Sequence, residues 1–226
     1  MEFGVVIMFV GFFVVAGCLV IVGVIQAKKR REAMAAFAAS RGWRYATHDQ
    51  SLVNRFHGAP FGIGSSRAAS NVIYGEHDGR PMVAFDYQYT TTSGSGKDRK
   101  STTHHCSVLA LSMGAVMPEL SVQPEGFFGR IVGRLTNTDI EMESEAFNRA
   151  FTVRSPHRKF AFDVLHPQMI EMVLQWPDLG WRFERDSMLV ISNGRHSIEE
   201  VGAKLHVMDA ILDRIPDFVW KEVRGQ

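Results

Sequence analysis

The sequence predicts an α+β chain: an N-terminal transmembrane helix, then a globular domain of mainly antiparallel strands with a C-terminal helix. Three observations carry this reading. From Gly4 to Ile25 no side chain is charged, amide or hydroxyl-bearing. In "NVIYGEHDGRPMVAFDYQYTTT", β-branched and aromatic runs flank Asp78-Gly79, a strong two-residue hairpin signal. In the last thirty residues, Val201, Leu205, Met208, Leu212 and Ile215 recur at 4-3 spacing, the mark of one apolar helix face.

The first element is the apolar run. At ~1.5 Å rise per residue it is long enough for a hydrocarbon core of ~30 Å. "MEF" before it holds no Lys or Arg, and Gln26-Ala27 after it offers no small-residue cleavage site, so the run reads as an uncleaved anchor over 1–27. Lys28, Lys29, Arg30, Arg31, Arg41 and Arg44 follow against a single Glu32. Positive charge is retained inside, which predicts a single-pass cell-membrane protein with its amino terminus outside and its C-terminal domain cytoplasmic. Residues 28–42 form a basic juxtamembrane helix, Ala-rich and ended by Gly42.

The domain at 43–226 starts with "WRYA", a short strand. "HGAPFGIGSSRAAS" is loop-like, with glycines at 58, 62 and 64 and Pro60. Strands follow on both sides of Asp78-Gly79, with Val83, Phe85, Tyr87 and Tyr89 on one face by the period of two. "TSGSGKDRKSTT" reads as a polar, flexible loop joining two antiparallel strands, the second being "HHCSVLALSM". "ELSVQPE" is another strand. "GFFGRIVGRLTNT" fits helix or loop, and a sub-boundary falls near 126–140. "FNRAFTVRS" reads as a strand, and "LHPQMIEMVLQW" as a helix entered at Pro167. "GWRFERD" and "SMLVISNG" form a hairpin. Ser197 and Glu200 have capping-box spacing at the start of the last helix, and Pro216 stops or kinks it.

Composition bounds the function. Sixteen Phe, four Trp and four Tyr supply a substantial core. Two cysteines, Cys18 and Cys106, give no disulfide framework. Residues 28–100 carry twelve cations and six anions, whereas residues 101–226 carry thirteen and seventeen. The basic part adjoins the anchor, where anionic lipids attract Lys and Arg. No basic stripe interleaved with aromatics appears, which excludes nucleic acid as the expected partner.

At "FTVRSPHRKFAFDVLHP" the chain resembles a family of bacterial, actinobacterial-type, membrane-anchored proteins of unknown function. Phe151, Val153, Ser155, Ala161, Leu165 and Pro167 match its F-x-V-x-S, Ala and L-x-P pattern. The family pattern often has an acidic residue where this chain has Pro156-His157-Arg158. The resemblance covers most of the domain and implies no catalytic residue.

Three clusters could carry chemistry. His104-His105-Cys106 sits on a strand, where His104 and Cys106 share a face and His105 does not. No second cluster at ligand spacing completes a metal site, and Cys106 as a nucleophile needs a positioned base and a lowered pKa. Asp139, Glu141, Glu143 and Glu145 alternate with apolar residues; a solvated or edge strand explains them without Ca²⁺ or Mg²⁺. "GAPFGIGSSR" lacks both phosphate-loop patterns, and turn chemistry explains its glycines. No catalytic, cofactor-binding or metal residue is therefore assigned. The expected function is a non-enzymatic membrane-tethered module binding a protein partner, or anionic lipid headgroups through Lys28, Lys29, Arg30 and Arg31. The alternatives are a structural subunit of a larger membrane complex and an enzyme on membrane substrates using Cys106.

Overall fold

Asp78 and Gly79 both take positive φ, 47° and 75°, and close a two-residue turn between β2 (Ser65–His77) and β3 (Arg80–Ser93). Positive φ at both positions is what a type I′ turn requires, and its twist matches that of the strands it joins. This hairpin belongs to the sheet of a computed structural model, which covers residues 2–125 and 139–225, with side chains from residue 17 onward.

On one side of the hairpin lies β1 (Arg44–His48). On the other lie β4 (Lys100–Ser112), β9 (Ser187–Asn193), β8 (Trp181–Glu184), β5 (Leu120–Pro124), β7 (Phe151–Arg154) and β6 (Asp139–Ile140), in that order. Each of these pairings is antiparallel. The helices are α1 (Glu2–Ser40), α2 (Glu145–Ala150), α3 (Arg158–Val164), α4 (Pro167–Val173), α5 (Ile198–Asp213) and α6 (Asp217–Arg224).

The sheet is covered on both faces. Val83, Phe85, Tyr87 and Tyr89 do share a face, and they pack with Cys106, Val108 and Ala110 under Leu52, Val53, Phe56 and Phe61. The loop read as turn-rich is thus a cover: Phe56 stacks parallel to Phe85 and Phe61 meets Tyr87 edge-on at 5.0 Å. The opposite face, with Ile73, Met82, Ala84, Leu109 and Leu111, is covered by the helices. Val201, Leu205, Met208, Leu212 and Ile215 are all buried there, so the stripe is core. Ser197 accepts the Glu200 amide as the expected N-cap.

Several expectations are corrected. The predicted membrane span is overturned: among the described residues no helix is long and apolar enough to cross a membrane. Beyond the apolar run α1 does not lead away as a tether but enters the domain, with Met34 and Ala38 buried in the core. The single-pass topology, amino terminus outside and domain cytoplasmic, rested on that span and goes with it.

Smaller corrections follow from competing local chemistry. Ser144 caps the Phe147 amide, which starts a helix over Glu145–Ala150 where a strand was expected through "FNRA". Ser65–Ser70 belongs to β2 rather than to the preceding loop. Much of "TSGSGKDRKSTT" is also strand, because the Thr and Ser residues continue the β3–β4 ladder as far as Ser93 and Lys100. The ambiguous stretch at 126–138 lies outside the described residues. Past Pro216, Phe218 is 52% exposed and its neighbour Val219 is buried.

Candidate functional site: the seat of the N-terminal helix

The basic run after the apolar segment does not act as one block. A helix sends successive side chains out at different angles, and Arg30 is the cation that faces the sheet. Its Nη1 donates to Asp86 Oδ2 at 2.6 Å and its Nη2 to Asp86 Oδ1 at 3.1 Å, a two-pronged pairing. Nη2 also donates to the His196 carbonyl at 2.6 Å. Lys28, Lys29 and Arg31 remain exposed.

Asp86 is held ready for this contact. It lies on β3 between Phe85 and Tyr87, and the pleat turns it toward α1 while they turn away. Its side chain is only 5% exposed, and it also accepts from Asn71 Nδ2 at 2.8 Å and the His196 amide at 3.0 Å. Asn71 reaches it from an irregularity in the β2–β3 register, where Asn71 itself takes φ of 50°. Bulges re-aim side chains in this way, and Asn tolerates the left-handed conformation better than most. Tyr45 on β1 donates its hydroxyl to Asn71 Oδ1 at 2.8 Å. Burial pushes the Tyr45 phenol up, against the pull of Arg31 and Arg30.

His196 completes the clasp from the loop between β9 and α5. It is buried, and its Nε2 lies 2.9 Å from the Val108 carbonyl, so the neutral ring carries its proton there and donates it. Its Nδ1 has no hydrogen-bond partner among the described residues. Burial holds the imidazole below its ordinary range, because a second proton would create an enclosed charge. The clasp joins α1, β1, β2, β3 and the β9–α5 loop, and its carboxylate is satisfied on both oxygens. Its arrangement locks geometry; it offers no open substrate position beside Asp86.

A second polar lock holds the cover on the opposite face. Arg182 donates to the carbonyls of Ala59 and His57 at 2.9 and 2.6 Å and to Glu184 at 3.0 Å. Glu184 in turn accepts the His57 amide at 2.6 Å. A cleft of 270 Å³ nearby is lined by Arg55, Phe56, Val116, Glu184, Arg185 and Asp186.

The remaining clusters from the sequence take structural places. Cys106 is buried, and burial pushes its thiol up to about 11, the reverse of what a nucleophile needs. His104 stacks on Tyr89 at 4.8 Å and meets the Thr91 hydroxyl at 2.8 Å, while His105 sits on the other face. Asp139 pairs with Arg154, Glu141 and Glu143 are exposed, and Glu145 opens α2, so the carboxylate row is split. Among the described residues no group of three His, Cys, Asp or Glu side chains could hold a metal ion. Sequence reasoning missed Asp86, Asn71 and His196. One signal was present: a lone carboxylate inside the apolar strand "VAFDYQY" needs a partner.

Fold and clasp together define a class: an open antiparallel sheet, nine-stranded among the described residues, with a long N-terminal helix keyed into one face. A solved structure of similar build is the crystal structure of the mycobacterial trehalose monomycolate transport factor A, TtfA. The match has a TM-score of 0.58 at 15% identity and covers 83% of this chain and 95% of that one. At that identity the likeness is one of fold. No protein-family model matches the chain, and no curated protein does.

Proposed function

We propose that this chain is a non-enzymatic, membrane-associated module that binds lipid at a membrane surface, in the service of lipid transport. One observation carries the reading. Leu19, Val20, Ile21, Val22, Val24 and Ile25 are 48–69% exposed and lead directly into the exposed cations Lys28, Lys29 and Arg31. Consecutive helical residues point all round the axis, so this apolar surface has no single face for a protein groove. Exposed apolar side chains beside cations suit contact with a lipid surface, with anionic headgroups at the level of the cations. The fold likeness to a trehalose monomycolate transport factor is in keeping with a lipid-facing role.

Flotation of the full chain, kept in mild detergent until mixed with vesicles, tests this. Binding to vesicles with about a third anionic lipid should exceed binding to neutral ones at low salt and fall as salt rises. The triple variant K28Q/K29Q/R31Q should lose that preference. Equal binding of the unaltered chain to both vesicle types would overturn the proposal.

A further inference from the structure

The β3–β4 ladder outruns its neighbours. Strand β2 pairs with β3 no further than Thr90, and β9 pairs with β4 no further than Cys106. From Thr91 to Thr102 the two strands pair only with each other, forming an arm with both edges bare among the described residues. Two-stranded ribbons are marginal in water. This one is supported by cross-strand hydroxyl pairs, Thr90 with Thr103 at 3.1 Å and Thr92 with Ser101 at 3.2 Å. Residues 92–103 are all exposed, and the tip carries Lys97, Arg99 and Lys100 against Asp98.

The direction of the arm follows from where α1 sits. Trp43, just past the end of α1, donates to the Glu76 carbonyl beside the β2–β3 turn, and Arg30 meets Asp86 farther along β3. Travelling back along α1 is therefore travelling forward along β3. From Arg30 to Leu19 the helix covers roughly 16 Å, and from Asp86 to Ser93 the strand covers roughly 23 Å. The arm tip and the apolar helical segment thus extend from the same end of the molecule. Arg195, exposed in the loop hydrogen-bonded to His105 at the arm's foot, adds another cation there. The anions at this end are Glu32, Asp98 and, on the first turn of α5, Glu199 and Glu200, the last paired with Lys204.

We infer that the arm is a second contact with the anionic lipid surface, its Lys97, Arg99 and Lys100 meeting headgroups beside the helix. With no apolar side chain from Thr90 to Thr103 apart from the glycines, the tip would rest among headgroups without inserting. This rests on the lipid-surface reading of the helix.

The test uses the full chain with anionic and neutral vesicles. The arm variant K97Q/R99Q/K100Q, with unchanged melting temperature, should bind anionic vesicles about tenfold or more weakly. In the unaltered chain, tryptic cleavage at Lys97, Arg99 and Lys100 should be suppressed by anionic vesicles and not by neutral ones. If the arm variant binds like the unaltered chain and the sites stay cleavable while K28Q/K29Q/R31Q loses binding, the arm contact is overturned and the helix reading stands. If no variant changes binding to anionic vesicles, both are overturned.

Discussion

Asp86 shows how much of this molecule turns on single residues. A buried carboxylate is costly unless both oxygens are satisfied, and here Arg30, Asn71 and the His196 amide divide that task. Lysine in place of Arg30 would keep the charge but not the two-pronged geometry. His196 has a testable consequence for pH. Its folded pKa lies below the ordinary value of about 6.5, so the unfolded chain takes up the proton first as pH falls. The stability it contributes is therefore fully present above about pH 6.5 and is lost progressively below it. Urea unfolding between pH 7.5 and 5 should show this decline, and His196→Gln, which can still donate to Val108, should flatten it. An unchanged pH slope in the variant would show that other groups set the acid limit. At this scale the sequence was least legible. Asp86 could be flagged as an anomaly within an apolar strand, but its partners lie far away in the chain, at 30, 71 and 196.

Elements were read more successfully where local chemistry acts alone. The Asp78-Gly79 turn, the period-two faces of β3 and the capped, striped α5 need no distant information, and each stands where it was expected. Failures came where a neighbour decides. Glu145–Ala150 is helical because Ser144 caps it, and the Thr-rich arm is strand because each half supplies the other's ladder. The apolar run at 4–25 was read as a span from its hydropathy alone, and the keying of α1 into the sheet through Arg30, Met34 and Ala38 was not foreseeable from it. Helix α5 yields a prediction. Leu205 and Leu212 are fully buried, so alanine at either should cost about 2–5 kcal/mol in denaturant melts. Glu199, exposed on the first turn, should tolerate substitution within about 0.5 kcal/mol. Lys204 is not an equivalent control, because it donates to Ser192 and Glu200 with its side chain only 13% exposed. Leucine variants that melt like the unaltered chain would reassign the stripe to a docking surface.

On the scale of the whole molecule, β9 is the seam. It joins the β1–β4 meander to the group formed by β5 to β8, and one apolar core runs under both, from Ile73 and Met82 to Phe151 and Trp181. The chain should therefore unfold as one unit. Tryptophan fluorescence, reporting on Trp43 at one end and Trp181 beyond the seam together with Trp176 and Trp220, should coincide with far-ultraviolet circular dichroism in a urea titration. Separated midpoints would mean that the two groups of strands melt independently. The seam also sets an order on biosynthesis. Strand β4 meets β9 only after about 80 further residues have been made, roughly 4–16 s at ~5–20 residues per second. For that interval β4 presents an unpaired, apolar edge at the ribosome, the kind of edge that recruits wrong partners. A nascent chain released before residue 187 would carry that edge permanently, so a truncation that removes residues 187–226, β9 included, should direct the product to aggregation or degradation even though the meander is already complete.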